Sequence, residues 1–243
     1  MGFCRQASEL LLDASQALRR DVLLACKIIV QQQLDSGPFG NISIRIPGTQ
    51  TFWVNPAGLT FEQLDIHDIV CADIDGNLLD GKHTPHPGTF IHREIYRLRS
   101  DVDAIVHTHS ENTVMMSLLG CTIDPITQLG AAIYNDQGVY HGFTGPVRTS
   151  NEGTAIAQAL AQKSLVIAKN HGIFTTGTTI QTALWDMIIV DIAAKIHLTA
   201  KQLGLSPTEK LPDEDMQKSR IEVRQKQCEF MWHAYLQKMT TGK

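Results

Sequence analysis

The sequence predicts an α/β fold, a mixed sheet covered by helices, and three observations carry that prediction. Apolar residues recur at helical spacing through residues 5–35 and again after residue 178. Short runs such as "NISIRI" and "DAIVHTH" alternate or concentrate apolar residues as strands do. The second half then repeats a helix–strand order, which lays helices against a sheet.

The elements follow in order. Leu11, Val22, Ala25, Ile28 and Ile29 mark the first helix, which "DSGPFG" stops. "NISIRI" and "FWVN" read as strands around the turn "IPGTQT", and "DIVCADIDGNLL" reads as a strand, an Asp-Gly turn and a strand start. Next come "GTFIHREIYRLR" as helix, "DAIVHTH" as strand and "ENTVMMSLLG" as helix. "NEGTAIAQALAQ" is then helical, "SLVIAKN" a strand, and "TTIQTALWDMIIVDIAAKIHLTAKQLG" a long helix closed by Gly204. Beyond the loop "GLSPTEKLP", residues from Pro212 onward form an amphipathic helix that suits a subunit contact. With no repeat or linker, residues 1–243 read as one domain with a core of about 25–204 and a helical extension over 205–243.

Composition narrows the function classes. At 243 residues, 43% hydrophobic and 19% charged, the chain can bury a sizeable core. A net charge of −4 gives no broad positive field, so nucleic acid is not an expected partner. "ALWDMIIVDIAAKIHLTA" contains Asp186, Asp191 and Lys195, too many charges for a membrane span. Cys4, Cys26, Cys71, Cys121 and Cys228 are odd in number and never spaced as CxxC, which points to reduced thiols. No secretory signal is visible in "MGFCRQASELLLD", and a cytoplasmic protein is the expectation.

The histidines carry the chemistry. In "AIVHTHSENT", His107 and His109 share one face of an extended strand and can converge on one ion. "AKNHGIF" adds His171 after another apolar strand, and three imidazoles suffice for a divalent ion with open positions. Spacing alone leaves the other reading open: polar residues leaving a strand.

The segments "GNISIRIPG", "FWVNPAGLT", "DIDGNLLDG", "IHREIYRLRSDVDAIVHTHS" and "AKNHGIFTTG", in this order and spacing, resemble the class II aldolase and adducin superfamily. The resemblance runs from roughly Ala25 to Gly204. It implies an α/β/α sandwich with a mixed, largely antiparallel central sheet. It also implies a homotetramer with sites between subunits, and one divalent ion per subunit on His107, His109 and His171. Zinc is the expected ion, with iron, manganese or cobalt as alternatives. Such an ion polarises a carbonyl or hydroxyl oxygen and stabilises an adjacent carbanion, the chemistry of carbon–carbon cleavage.

The sequence leaves the family pattern at one place. The sugar-phosphate aldolases of the family have a Pro-Ser-Ser-Glu segment whose serines bind phosphate and whose glutamate handles the proton. Here the corresponding run, fixed by His92, is "PHPGTFIH", so Pro85, His86, Pro87 and Gly88 stand there. The absent carboxylate is a group worth about 10²- to 10⁴-fold in rate. Decarboxylation asks less of a base, and the expected reaction is lysis of an unphosphorylated hydroxylated or oxo carboxylic acid by a decarboxylase or aldolase. "PGTFIH…DPITQLGAAIYND" also resembles a branch with iron-dependent oxygenases of aromatic 2-oxo or 2-hydroxy acids and with adducin, a non-catalytic scaffold.

The supporting residues carry both functional and structural readings. The resemblance places Asn41, Ser43, Asn55 and Gly58 where a substrate's anionic end is contacted, and His92 beside the substrate or behind the ligands, with a hydrogen-bonded core histidine as the other reading of His92. Glu111 replaces the missing carboxylate or is a first-turn helix acid. His86 is a proton donor, a fourth ligand or a loop histidine. Tyr134 falls where family members offer a tyrosine to a neighbouring subunit's site, or packs at an interface. Phe230, Trp232 and Tyr235 form an aromatic lid or are buried.

Overall fold

The computed structural model describes residues 2–142, 150–205 and 212–241. Most of the loop "GLSPTEKLP" lies outside the described residues. Helix α1 (Gly2–Gln31) buries Val22, Ala25, Ile28 and Ile29, four of the residues whose spacing predicts it, together with Cys26; the side chain of Leu11 lies outside the described residues. A meander follows: β1 (Asn41–Arg45), β2 (Thr51–Val54), β3 (Val70–Asp73) and β4 (Leu78–Asp80). Asp73 ties the β3–β4 turn by accepting from the backbone of Asp75 and Asn77.

The alternating half comprises α2 (Thr89–Leu98), β5 (Ala104–Thr108), α3 (Glu111–Leu119), β6 (Gln137–Tyr140), α4 (Ser150–Leu160), β7 (Leu165–Ala168), β8 (Gly172–Gly177), α5 (Ile180–Gln202) and α6 (Asp213–Thr241). Thr179 caps α5 by accepting from the Thr182 amide, and Gly204, at φ +68°, ends it. All eight strands join one sheet in the order β4-β3-β2-β1-β5-β8-β7-β6. Every pairing is antiparallel except β6 with β7, so the sheet is mixed and largely antiparallel as predicted.

Strand alternation sends side chains to two cores. Ile42, Ile44, Ala104, Val106, Leu165 and Ile167 pack with α1, α3, α5 and α6 on one face. Phe52, Ile105, Val166, Ala168 and Phe174 pack with α2 and α4 on the other. The result is an α/β/α sandwich.

Strands β6 and β8 are not expected from the sequence. "QGVY" is short and lacks alternation, while "GIFTTG" is bounded by glycines and carries no strand pattern. The consequence for the site is direct: His171 stands in the hairpin turn between β7 and β8 rather than at a free strand end. Helix α6 docks on α5 through Arg224, which pairs with Asp186, and through burial of Met231 and Trp232. Tyr235 donates to Gln32 at 3.0 Å and Phe230 is exposed; with Trp232, neither lines the histidine cavity. Among the described residues, no helix is long and apolar enough to cross a membrane.

Candidate metal centre and active site

The sheet itself builds the centre. Asn41 of β1, His107 of β5 and Phe174 of β8 lie side by side across three adjacent strands, on the face covered by α2 and α4. His109, two residues beyond His107, emerges on the same side just past the strand. The β7–β8 turn then delivers His171, with Asn170 at φ +60° and Gly172 at φ +154°. At Gly172 a side chain would meet His107 and the Thr108 carbonyl at 3.3 Å, so glycine is what allows the turn to approach the other two histidines.

The three imidazoles converge. One ring nitrogen from each lies within 4.8 Å of the others, and the Nε2 atoms of His107 and His109 are 3.1 Å apart. His107 Nδ1 sits 2.8 Å from the Ile173 carbonyl, which can only accept, so the proton is on Nδ1 and Nε2 presents a lone pair. Phe174 stacks on His107 with centroids 3.8 Å apart and fixes the ring plane. Burial holds all three histidines below the ordinary imidazole range, His109 at about 4 and His107 well below its usual value, with neighbouring imidazoles adding to both. Neutral, oriented nitrogens with facing lone pairs are the donor set a divalent ion needs.

These histidines wall a cavity of about 630 Å³. Pro38, Phe39, Ala57, Ile91, Ile156 and Phe174 make much of the lining apolar, and Phe39 at its edge is 62% exposed. Among the described residues that line it, none is an aspartate or glutamate.

The other expected site residues divide into three groups. Asn41, Gly58 and His86 line the cavity with the histidines. His86 Nδ1 accepts from the Gly88 amide at 3.0 Å and Nε2 donates to the Pro38 carbonyl at 3.1 Å, so both ring nitrogens are engaged in shaping the loop. A side chain on Gly88 would begin 2.3 Å from Asn41 Nδ2, whose amide fills that space, while Asn41 Oδ1 is buried with no hydrogen-bond partner among the described residues.

Ser43, Asn55 and His92 stand behind that wall. Asn55 braces the start of β1, accepting from Ile42 and donating to the Gly40 carbonyl. Ser43 bonds His92 Nδ1 and the Tyr96 hydroxyl, both at 2.7 Å, and burial pushes His92 down to about 3. Tyr134 and Glu111 are not brought to the cavity within this chain. Tyr134 hydrogen-bonds Asp213 at the start of α6, and Glu111 is an exposed first-turn residue of α3.

Three contributors escape the sequence reading. Tyr140 lines the cavity from β6, a strand the pattern hides. Phe174 looks like an ordinary strand aromatic until its stacking partner is known. Asp191 anchors the start of α3 through Ser110 at 2.7 Å and Asn112 at 2.9 Å, and so steadies the turn after His109. An acid on the apolar stretch of α5 was the available signal, because a buried carboxylate demands partners.

The depressed histidines make stability pH-dependent. His92, His107, His109 and His171 bind protons in the unfolded chain near pH 6.5 but resist them when folded, so their stabilisation is full above pH 6.5 and falls as pH drops toward 4. His86 and His197, also lowered by burial, add to this trend, while Asp186, raised by burial to about 7, and Asp21, raised by burial as well, work in the opposite direction, two carboxylates against six histidines. Denaturant titrations of metal-free protein are expected to show the midpoint falling steadily from pH 6.5 to 4. A flat midpoint would contradict the assignment of buried neutral imidazoles.

The chain is similar in sequence and fold to known proteins. The sequence profile of the Class II Aldolase and Adducin N-terminal domain matches residues 20–198. The decarboxylase NovR of Streptomyces niveus is 30% identical over 203 residues, covering 82% of this chain and 73% of that protein. A 4-hydroxy-3-prenylphenylpyruvate oxygenase/4-hydroxy-3-prenylbenzoate synthase of Streptomyces roseochromogenus subsp. oscitans is 30% identical over 171 residues, 69% of this chain and 62% of that protein. A relative in Schizosaccharomyces pombe, described as a meiotically up-regulated gene 14 protein, is matched over 65% of its length, so the chain spans roughly two thirds of these relatives. Among solved structures, L-fuculose 1-phosphate aldolase from Glaciozyma antarctica PI12 superposes with a TM-score of 0.82 at 27% identity, covering 96% of this chain and 92% of that one.

Proposed function

The chain belongs to the class II aldolase and adducin N-terminal domain family, and from that premise we propose that it is a metal-dependent carbon–carbon lyase. Its substrate is an unphosphorylated hydroxylated or oxo carboxylic acid, and its reaction is decarboxylation or the related aldol cleavage. One observation carries this reading: three converging histidines wall a largely apolar cavity with no carboxylate among its described lining residues. Aldol chemistry on a sugar phosphate needs a base and a phosphate cradle, whereas loss of carbon dioxide needs no proton abstracted from carbon. The named decarboxylase relative supports the same class.

His107, His109 and His171 hold the ion, zinc in the first instance, with iron, manganese or cobalt as alternatives. The bound ion supplies Lewis-acid polarisation of a substrate oxygen. Asn41 and the backbone at Gly58 face the substrate. Asn55, Ser43 and His92 keep Asn41 and β1 in place, and His86 holds the Gly88 loop. Tyr134 and Glu111 stand away from the cavity of their own chain and take no part in this reading, which includes a cytoplasmic homotetramer with sites between subunits.

The oxygenase relative favours a second reading, in which the same three histidines hold Fe(II) for chemistry on an aromatic 2-oxo or 2-hydroxy acid. Anaerobic purification without added metal, metal analysis, and assays of oxygen uptake and carbon dioxide release with aromatic hydroxy and oxo acids separate the readings. Near one zinc or manganese per chain with carbon dioxide release and no oxygen uptake is the expected result. Iron with substrate-dependent oxygen consumption would replace the lyase with the oxygenase, and no metal would move the protein toward an adducin-like scaffold.

A further inference from the structure

A decarboxylase needs one proton delivered to carbon, and the residues expected to deliver it are elsewhere or engaged. Tyr134 is turned to Asp213 and Glu111 is exposed on α3. His86 uses one nitrogen to accept from Gly88 and the other to donate to Pro38. Asn41 has no transferable proton. Lys169 borders the cavity, but its stem runs against Gly120, where a side chain would begin 3.0 Å from Lys169 Cδ, on the side of α3.

Tyr140 is different. It ends β6 opposite Ala168 of β7, on the sheet face that carries His107, and its ring packs with the core under α2 and α4. The phenol lies over the backbone of Gly142, where any side chain would begin 2.2 Å from the hydroxyl oxygen and 2.4 Å from Cζ. That backbone therefore makes room for the hydroxyl at the cavity wall. Among the described residues, no hydrogen bond engages the hydroxyl, whereas the Tyr96 hydroxyl is spent on Ser43.

We propose that Tyr140 is the catalytic acid that returns a proton to the substrate carbon after carbon dioxide leaves, an inference that rests on the decarboxylase reading. The bond between that carbon and the carboxylate breaks, and its electron pair stays on the carbon. The Tyr140 O–H bond then breaks heterolytically, its proton goes to the carbon, and water re-protonates the phenolate. The sum is one carboxylate and one proton converted to one C–H bond and carbon dioxide.

The test compares metal-loaded wild type with Tyr140→Phe, using 3,4-dihydroxybenzoate and related hydroxybenzoates as probes. Carbon dioxide release is followed with exchange of the product's ring hydrogen in deuterium oxide by NMR. Metal content and probe affinity by calorimetry are measured alongside, because a merely structural tyrosine would move those too. Tyr140→Phe is expected to lose turnover and exchange by about 10²- to 10⁴-fold while binding the probe and the metal as wild type does. Equal exchange and turnover in the variant would overturn the proposal alone, as would a loss accompanied by loss of metal or of probe binding. A wild type that binds the probes yet releases no carbon dioxide would overturn the decarboxylase reading and the proposal with it.

Discussion

Replacing His109 with alanine is expected to strip the protein of its metal and reduce lyase activity to background while leaving the fold intact. His109 is the ligand best suited to this separation. Its ring is only partly buried, and its backbone amide, which donates to Ser36 Oγ at 3.3 Å, survives the substitution. His107 would be a poorer choice, since its ring is fully buried, bonded to the Ile173 carbonyl and stacked on Phe174. With His109 gone, two imidazoles remain where an open catalytic site needs three protein ligands. Contacts behind a ligand are themselves worth roughly 10- to 100-fold in metal affinity, so loss of a ligand should exceed about 100-fold. Metal analysis after dialysis, a thermal melt and the carbon dioxide assay together check the result. Wild-type activity at full metal occupancy would remove His109 from the site.

The same residues show how far the sequence can be read. His107, His109 and the strand before them were legible because β5 is a buried apolar run with polar residues at its exit, and the alternation rule puts both rings on one side. His171 was legible as a candidate, but its position was not, since β8 begins at Gly172 and its glycines and threonines carry no strand pattern. The cavity was not legible at all. It depends on the register that sets Asn41 and Phe174 beside His107, and on β6 joining the sheet in parallel; both are long-range pairings.

Gly88 is the instructive case. In sequence it reads only as the loss of a carboxylate. In three dimensions the Asn41 amide occupies the space a side chain would need, and His86 holds the loop from below with both ring nitrogens. The position is therefore filled from a neighbouring strand rather than empty. A glutamate restored at 88 would have to displace Asn41 first, which separates changed chemistry from a simple deletion.

Phe174→Ala is expected to produce the largest loss of stability of any single substitution in the site, about 3–5 kcal/mol. The ring has no solvent exposure. It stacks on His107 at 3.8 Å, meets His171 edge-on at 5.6 Å and His92 at 6.4 Å, so its removal opens a void against three imidazoles. For a chain of this size the melting temperature should fall by roughly 6–20 °C. Stability alone would not show that the ring matters to the centre, and Phe174→Leu supplies the contrast. Leucine keeps most of the buried volume and so costs less than alanine does, but it offers no flat face to hold the His107 ring plane. If that plane orients Nε2 toward the ion, the leucine variant should melt above the alanine variant and bind metal about 10-fold more weakly than wild type. Unchanged metal affinity in the leucine variant would reduce Phe174 to a core residue and leave the Ile173 carbonyl as the feature that orients His107.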